Sequence, residues 1–288
     1  MKRSNGLSII ILFALAALTG FVWYQLVFGA PVNSLRMYFL DVGQGDGTLA
    51  VFPGGVKVLT DAGPDRKVVA SLEKVLPPGD RYIDIATITH PQLDHFNGFN
   101  YVLDHYGVGA FITNGRSETK TVREWPEFLK KIREKNIPLI TLGAGDGIRY
   151  DTNRIDFLSP NVGFLQSAEL NDTGLVGLLQ TPEFRALLVA DIGFNVEDYL
   201  VSQGTDLRAD ILKVGHHGSK YSSGSEFLKT VRPKIAVIGV GERNTYGHPA
   251  KEALERLTAT TQHIFRTDLN GTVEIRAENG KLKVFTGK

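Results

Sequence analysis

Residues Thr89–Gly98 read THPQLDHFNG and directly follow the apolar-rich run Ile83–Ile88. His90, Gln92, Asp94 and His95 therefore fall within one turn-sized stretch at the end of an expected strand. Neutral imidazole nitrogens and carboxylate oxygens at such short spacing are good ligands for Zn²⁺ or Mn²⁺, so the stretch predicts a metal site. Taken alone it also fits a polar loop capping the next helix, with Asp94 as N-cap and Pro91 in the turn. Short motifs recur by chance, so the rest of the chain has to decide.

Working outward, the remaining ionisable chemistry falls at the ends of other apolar runs. Phe184–Ala190 ends in Asp191-Ile192-Gly193, and Ile211–Val214 ends in Gly215-His216-His217-Gly218-Ser219. Ile235–Val240 is followed by Tyr246-Gly247-His248-Pro249. Each run reads as a buried strand delivering a ligand at its carboxyl end, where α/β sheets hold their sites. Five of the 7 histidines lie in these segments. His105 reads as a helix-surface residue and His263 as a strand-edge residue.

The order HxxxDH, a strand ending in Asp-Ile-Gly, LKVGHHGSKYSS and then YGHP resembles the metallo-β-lactamase superfamily, specifically the hydrolase domain of ComEC-type competence (DNA uptake) proteins. Asp41–Asp46 (DVGQGD), Leu59–Gly63 (LTDAG) and Asn171-Asp172-Thr173 match further segments of that family. The resemblance spans residues 36 to about 260. It implies a four-layer αββα sandwich, an α+β fold, and a centre of one or two divalent ions, Mn²⁺, Zn²⁺ or Mg²⁺. His90 and Gln92 would serve a first ion, Asp94 and His95 a second, and Asp191 would bridge them. His216 or His217, with His248, would complete the shells; the sequence leaves open which of the adjacent pair faces the metal. The resemblance implies catalytic roles for Asp94, Asp191 and His216, through metal-activated attack of water on phosphorus or a carbonyl. Asp46 and Asp61 are expected to orient histidine ligands; for Asp61 a simple strand-to-turn role fits equally.

Two positions depart from the family pattern. Gln92 stands where relatives carry His or Asp, and a neutral amide oxygen is a weaker ligand than either. Gly174 stands where they often carry Ser. No histidine occurs between His105 and His216. One ion is therefore expected to bind well and a second poorly.

The 288 residues, 42% hydrophobic and 22% charged, suffice for a globular core. Cysteine is absent, which excludes disulfides, cysteine-ligated zinc and a lipoprotein anchor. Leu7–Phe28 carries no charge and follows Lys2 and Arg3. Such a stretch is long enough to cross a bilayer. A signal peptide would have a shorter apolar core, and cleavage after Ala30 would place Phe28 and Pro31 badly. The expected organisation is thus an anchor over residues 1–30 and a hydrolase domain over 31–288. With positive residues inside and Trp23 and Tyr24 at the outer interface, the domain would lie outside the cytoplasm on a single-pass anchor.

Leu35–Leu40, Thr48–Phe52 and Val56–Thr60 read as a strand meander. Lys67–Val75, Gly98–Tyr106, Thr121–Lys135 and Pro249–Thr258 read as helices, the third charged and surface-lying. Ile235–Val240 and Thr272–Ile275 read as later strands. DNA is the partner the resemblance implies, which would make the protein a phosphodiesterase or nuclease. The net charge of +1 lends this little support. Arg116, Lys120, Arg123, Lys130, Lys131 and Arg133 form a basic run, but Glu118, Glu124, Glu127 and Glu134 dilute it into a solvated helix face. One apolar span cannot form a multi-pass channel, so the chain would work beside a separate membrane channel. The alternatives are hydrolysis of another ester or phosphoester, or a metal-poor binding protein. Joint retention of His90, Asp94, His95, Asp191, His216, His217 and His248 argues against decay.

Overall fold

The computed structural model of the protein describes residues 4–28, 34–116 and 122–288. Lys2, Arg3, Ala30, Pro31, Glu118, Lys120 and Thr121, invoked above, lie outside the described residues. Ser4–Phe28 is one continuous helix. Its segment Gly6–Tyr24 has a mean hydropathy of 2.3 and none of it is buried against the rest of the chain. The Thr19 hydroxyl donates to the carbonyl of Leu15 at 2.8 Å, satisfying the side chain without water. By length and composition this helix can cross a membrane.

The described residues beyond it form the strands β1 (Arg36–Phe39), β2 (Thr48–Val51), β3 (Lys57–Thr60), β4 (Tyr82–Ile88), β5 (Gly107–Thr113), β6 (Leu139–Thr141), β7 (Gly147–Tyr150), β8 (Asn153–Ser159), β9 (Val176–Gln180), β10 (Arg185–Leu188), β11 (Ile211–Lys213), β12 (Ile235–Ile238), β13 (His263–Arg266), β14 (Val273–Glu278) and β15 (Lys281–Thr286). They make two sheets, in the orders β15-β14-β1-β2-β3-β4-β5-β6 and β13-β12-β11-β10-β9-β8-β7. The meander expected over β1–β3 is present as antiparallel pairs. From β3 to β6 the pairing turns parallel, as it does from β10 to β13.

The strands are apolar on both faces because each sheet is covered twice. In β1, Met37 and Phe39 enter the core between the sheets, while Tyr38 and neighbouring Leu40 enter the core beneath the helices. In β12, Ile235 and Val237 join the inter-sheet core and Ala236 and Ile238 the core on the other side. The outer layers are the helices Lys67–Val75, Phe99–His105 and Glu124–Glu134 on the first sheet, and Phe194–Ser202, Ser225–Val231 and Lys251–Thr258 on the second. This is the expected four-layer αββα sandwich. The charged helix Glu124–Glu134 is not simply surface-lying, because Trp125, Phe128, Leu129 and Ile132 are buried along one side. Trp125 packs edge-on against Phe96 with centroids 4.9 Å apart. Of its basic face, Lys130 pairs with Glu134 and Lys131 with Asp104, as a solvated helix face would.

The consequence for function is positional. The parallel strands of both sheets aim their carboxyl ends at one edge of the sandwich, so the loops after β3, β4, β10, β11 and β12 meet there.

Candidate metal centre

β4 ends at Ile88 and the chain passes through buried Thr89 and His90 into a short helical turn, Leu93–Phe96. Gln92, not Asp94, occupies the N-cap position, and it makes no side-chain cap. Asp94 lies inside the turn, so the capping role considered for it does not hold. This turn is sewn to two other loops by backbone bonds. Asp46 N–H donates to the Asp94 carbonyl at 3.2 Å, Ala62 N–H to that of His95 at 2.8 Å, and Gly98 N–H to that of Gly63 at 2.8 Å. Gly98 has to be glycine, since a Cβ there would stand 1.8 Å from the Ala62 carbonyl oxygen.

Asp61, at the end of β3, accepts the Thr89 N–H at 2.9 Å, the Thr89 hydroxyl at 2.8 Å and His95 Nδ1–H at 2.8 Å. That last bond leaves His95 Nε2 facing Asp191, 3.3 Å from its Oδ2. Asp191 follows β10 and Ala190, whose φ is +48°. After β11 the turn Gly215–Gly218 carries two consecutive left-handed residues, His216 (φ 46°, ψ 47°) and His217 (φ 53°, ψ 24°). Non-glycine residues reach that region at a cost. The turn is held by His217 Nδ1–H donating to the Gly239 carbonyl at 2.8 Å. His217 Nε2 then lies 3.2 Å from both Asp94 Oδ2 and Asp191 Oδ2. Asp46 stands behind His217, 3.2 Å from Nδ1, and is itself bound by the buried ammonium of Lys213.

Ligand atoms of Asp94, His95, Asp191 and His217 all lie within 4.8 Å of one another. Of the adjacent pair left open by the sequence, His217 is thus the one brought into the group. His216 stands half-buried outside it, with Asn171 Nδ2 3.3 Å from both its ring nitrogens. Its ring centroid is 5.6 Å from that of His248. Gln92 turns its Nε2–H to Asn171 Oδ1. His90 lies against His95 with ring centroids 4.1 Å apart and the planes tilted by 52°. Asp46, Asp61 and His95 form a second close group, but Asp46 is engaged by Lys213 and Asp61 by Thr89 and His95. Each of these carboxylates thus contacts a histidine, Asp61 at His95 Nδ1 and Asp46 at His217 Nδ1.

Burial disfavours charge throughout the site, and it prevails at Asp61, which is raised, and at His248, which is lowered; at Asp94, His95, Asp191 and His217 the cluster overrides it. His217 and His95 hold Asp191 well below the usual carboxylate range, and His95 and His217 bring Asp94 down to about 2. In return, Asp191 and Asp61 raise His95, and Asp191 and Asp46 raise His217, well above the usual imidazole range. His90 is different: burial and the neighbouring charge of His95 push it down to about 3, so it is neutral. His90 Nε2, His95 Nε2, Asp191 Oδ1 and His248 Nδ1 are buried with no hydrogen-bond partner. Buried polar atoms seldom go unpartnered. Two carboxylates and two imidazoles converging beside such atoms fit a divalent cation.

Several participants escaped the sequence reading. Thr89 ties Asp61 to both His90 and His95. Asn114 at the end of β5 donates to the Thr89 and Thr173 carbonyls. Asn171 was visible in a motif but had no role assigned. Lys213 left a readable signal, a lone charge inside the apolar run Ile211–Val214. His105 is exposed at the end of its helix and His263 sits exposed on the edge strand β13.

With two stacked sheets and this donor set in place, the chain belongs to the metallo-β-lactamase superfamily of metal-dependent hydrolases, whose sequence profile matches residues 40–242. Within it the chain is 30% identical over 257 residues to ComE operon protein 3 of Bacillus subtilis, covering 83% of this chain and 33% of that protein. It is 29% identical over 278 residues to competence protein ComA of Neisseria gonorrhoeae, covering 94% and 36%. These relatives bear out the ComEC-type resemblance, and the chain spans about a third of their length. Among solved structures, the metallo-β-lactamase fold protein YhfI of Bacillus subtilis superposes with a TM-score of 0.56 at 13% identity, over 88% of this chain and 100% of that one. At that identity the likeness shows the fold alone.

Proposed function

We propose that this protein is a membrane-anchored, divalent-metal-dependent phosphodiesterase that cuts DNA outside the cytoplasm. The observation that carries the reading is the buried convergence of Asp94, His95, Asp191 and His217 beside polar atoms that lack partners. Those four side chains hold the ion, Asp61 and Asp46 keep His95 and His217 turned toward it, half-buried His216 and His248 stand on the more open side, and His90 lies buried against His95. When bound, the ion supplies Lewis acidity toward a phosphoester oxygen and lowers the pKa of water beside it. The chain's own part is to keep both ligand imidazoles in one tautomer and to present half-buried His216 and His248 to substrate. DNA is the substrate favoured by competence relatives. The anchor rests on the helix Ser4–Phe28 and its orientation on the sequence pattern of Lys2 and Arg3 before it, with the hydrolase domain following over residues 31–288. A separate membrane channel would serve as its partner.

A second reading, hydrolysis of a smaller phosphoester or ester, is favoured by the net charge of +1, since long nucleic-acid tracks are usually basic. The test is metal content of the purified full chain followed by cleavage of single-stranded and duplex DNA with Mn²⁺, with EDTA and in Asp191→Ala. Mn²⁺-dependent cleavage abolished by both treatments is expected. DNA left intact while a small phosphodiester is cleaved would replace the first reading by the second.

A further inference from the structure

Beside the four converging ligands runs a second row of side chains. It starts at His90, whose ring lies 4.1 Å from that of His95. Gln92 donates to Asn171 Oδ1, Asn171 Nδ2 lies 3.3 Å from the ring nitrogens of His216, and His216 neighbours His248. This row has the depth and donor types of a metal-binding wall, and His90 Nε2 and His248 Nδ1 in it are buried without partners. It contains no carboxylate. Among the described residues, His90, His216 and His248 enter no group of three ligands within 4.8 Å.

The geometry points to a centre that takes a single dication, held by Asp94, His95, Asp191 and His217, with the Gln92–Asn171 amide pair closing the neighbouring position to a second. The reason is electrostatic. Two dications side by side repel with four times the energy of a unit pair, whereas one carboxylate attracts one dication with only twice that energy. Negative ligands between the ions must make up the difference. The row itself brings no negative charge; Asp191 has one unpartnered oxygen, Oδ1, but its other oxygen already lies against His95 and His217 of the first position. The amide of Gln92 brings none, and its nitrogen is committed to Asn171, which is in turn committed to His216. The second row is therefore left as a neutral donor and acceptor surface for the substrate rather than for an ion.

This inference rests on reading the site as a metal centre and is independent of the substrate. It is tested on the full chain in detergent micelles, stripped of metal and titrated with Mn²⁺ by calorimetry and electron paramagnetic resonance. Wild type is expected to bind one ion with an uncoupled spectrum. Gln92→Asp is expected to bind two, the second at least about tenfold more tightly than any second ion in wild type, with a spin-coupled spectrum. Asn171→Asp, which puts the charge one step along the same row, serves as the second variant should Gln92→Asp fail to fold. Two coupled ions in wild type, no ion in wild type, or one ion in both folded variants would overturn the inference. One Mn²⁺ per wild-type chain without any DNA cleavage would support the single-ion centre while removing the nuclease reading.

Discussion

Asp94 and Asp191 are the anionic half of the converging group, and their carboxylates supply the negative charge that offsets a dication in a buried site. Asp94→Ala and Asp191→Ala are each expected to lose the ion in metal analysis while keeping the folded circular-dichroism spectrum. Asp61→Asn, which weakens the support of His95 and of the Thr89 bridge, should weaken the metal by about 10–100-fold. His95 and His217 carry raised pKa values without the ion, so their stabilisation is present below the imidazole value of 6.5 and is lost as pH rises through the folded value. An ion must displace those protons. Binding near pH 7 should release about two protons, read by calorimetry in two buffers of different ionisation enthalpy; a release near zero would contradict the assignment. The sequence named each residue of the converging group as a candidate, but it could not separate His216 from His217. Both sit in a left-handed turn, where one residue's step redirects a side chain entirely, and no periodicity encodes that. Gln92 was visible as an oddity, while its partner Asn171 lies 79 residues away and could only be found in space.

Among the elements, the buried turn against Asp61–Gly63 is the tightest joint. Gly98→Ala would drive a Cβ into the Ala62 carbonyl and should cost about 3 kcal/mol, read as a lower denaturation midpoint at unchanged slope. A second joint holds the histidine loop. Buried Glu197 accepts the Ser223 N–H at 2.6 Å and the Gly224 N–H at 2.7 Å, fixing the start of the helix Ser225–Val231. Burial outweighs those two bonds and pushes its pKa up from 4.5 to about 7. A carboxyl raised on folding binds more protons when folded, so its contribution is full below pH 4.5 and is lost as pH rises through about 7. The decline should approach about 3 kcal/mol and should disappear from the pH profile of Glu197→Gln. The elements legible in sequence were those with strong patterns, such as Lys67–Val75, whose observed bounds match the reading. Strands β7 and β15 were not legible, since each is a half-exposed edge strand that buries too few side chains to leave a run.

At the scale of the whole molecule, the intact chain should sediment with membranes after a carbonate wash and dissolve in detergent; recovery in the soluble fraction would remove the anchor. Stripping the metal should lower Tm by roughly 5–10 °C, since a ligand at a hundredfold excess over its Kd contributes about 2.7 kcal/mol and domains of this size shift about 2–4 °C per kcal/mol. The four-layer arrangement was legible through the family resemblance, whereas hydropathy alone gave strands without their sheet order. Asp94 and His95 follow a strand of the first sheet and Asp191 and His217 strands of the second, and Asp94 and His217 stand 123 positions apart in the chain. An ion gripped by both closes a loop of that length, and in the chain-entropy picture a permanent cross-link closing about 100 residues restricts the unfolded chain by about 4.7 kcal/mol. With the proposed ion bound, a chain with no cysteine would carry across its two sheets the counterpart of a disulfide staple, one that a chelator would open and a metal salt would close again.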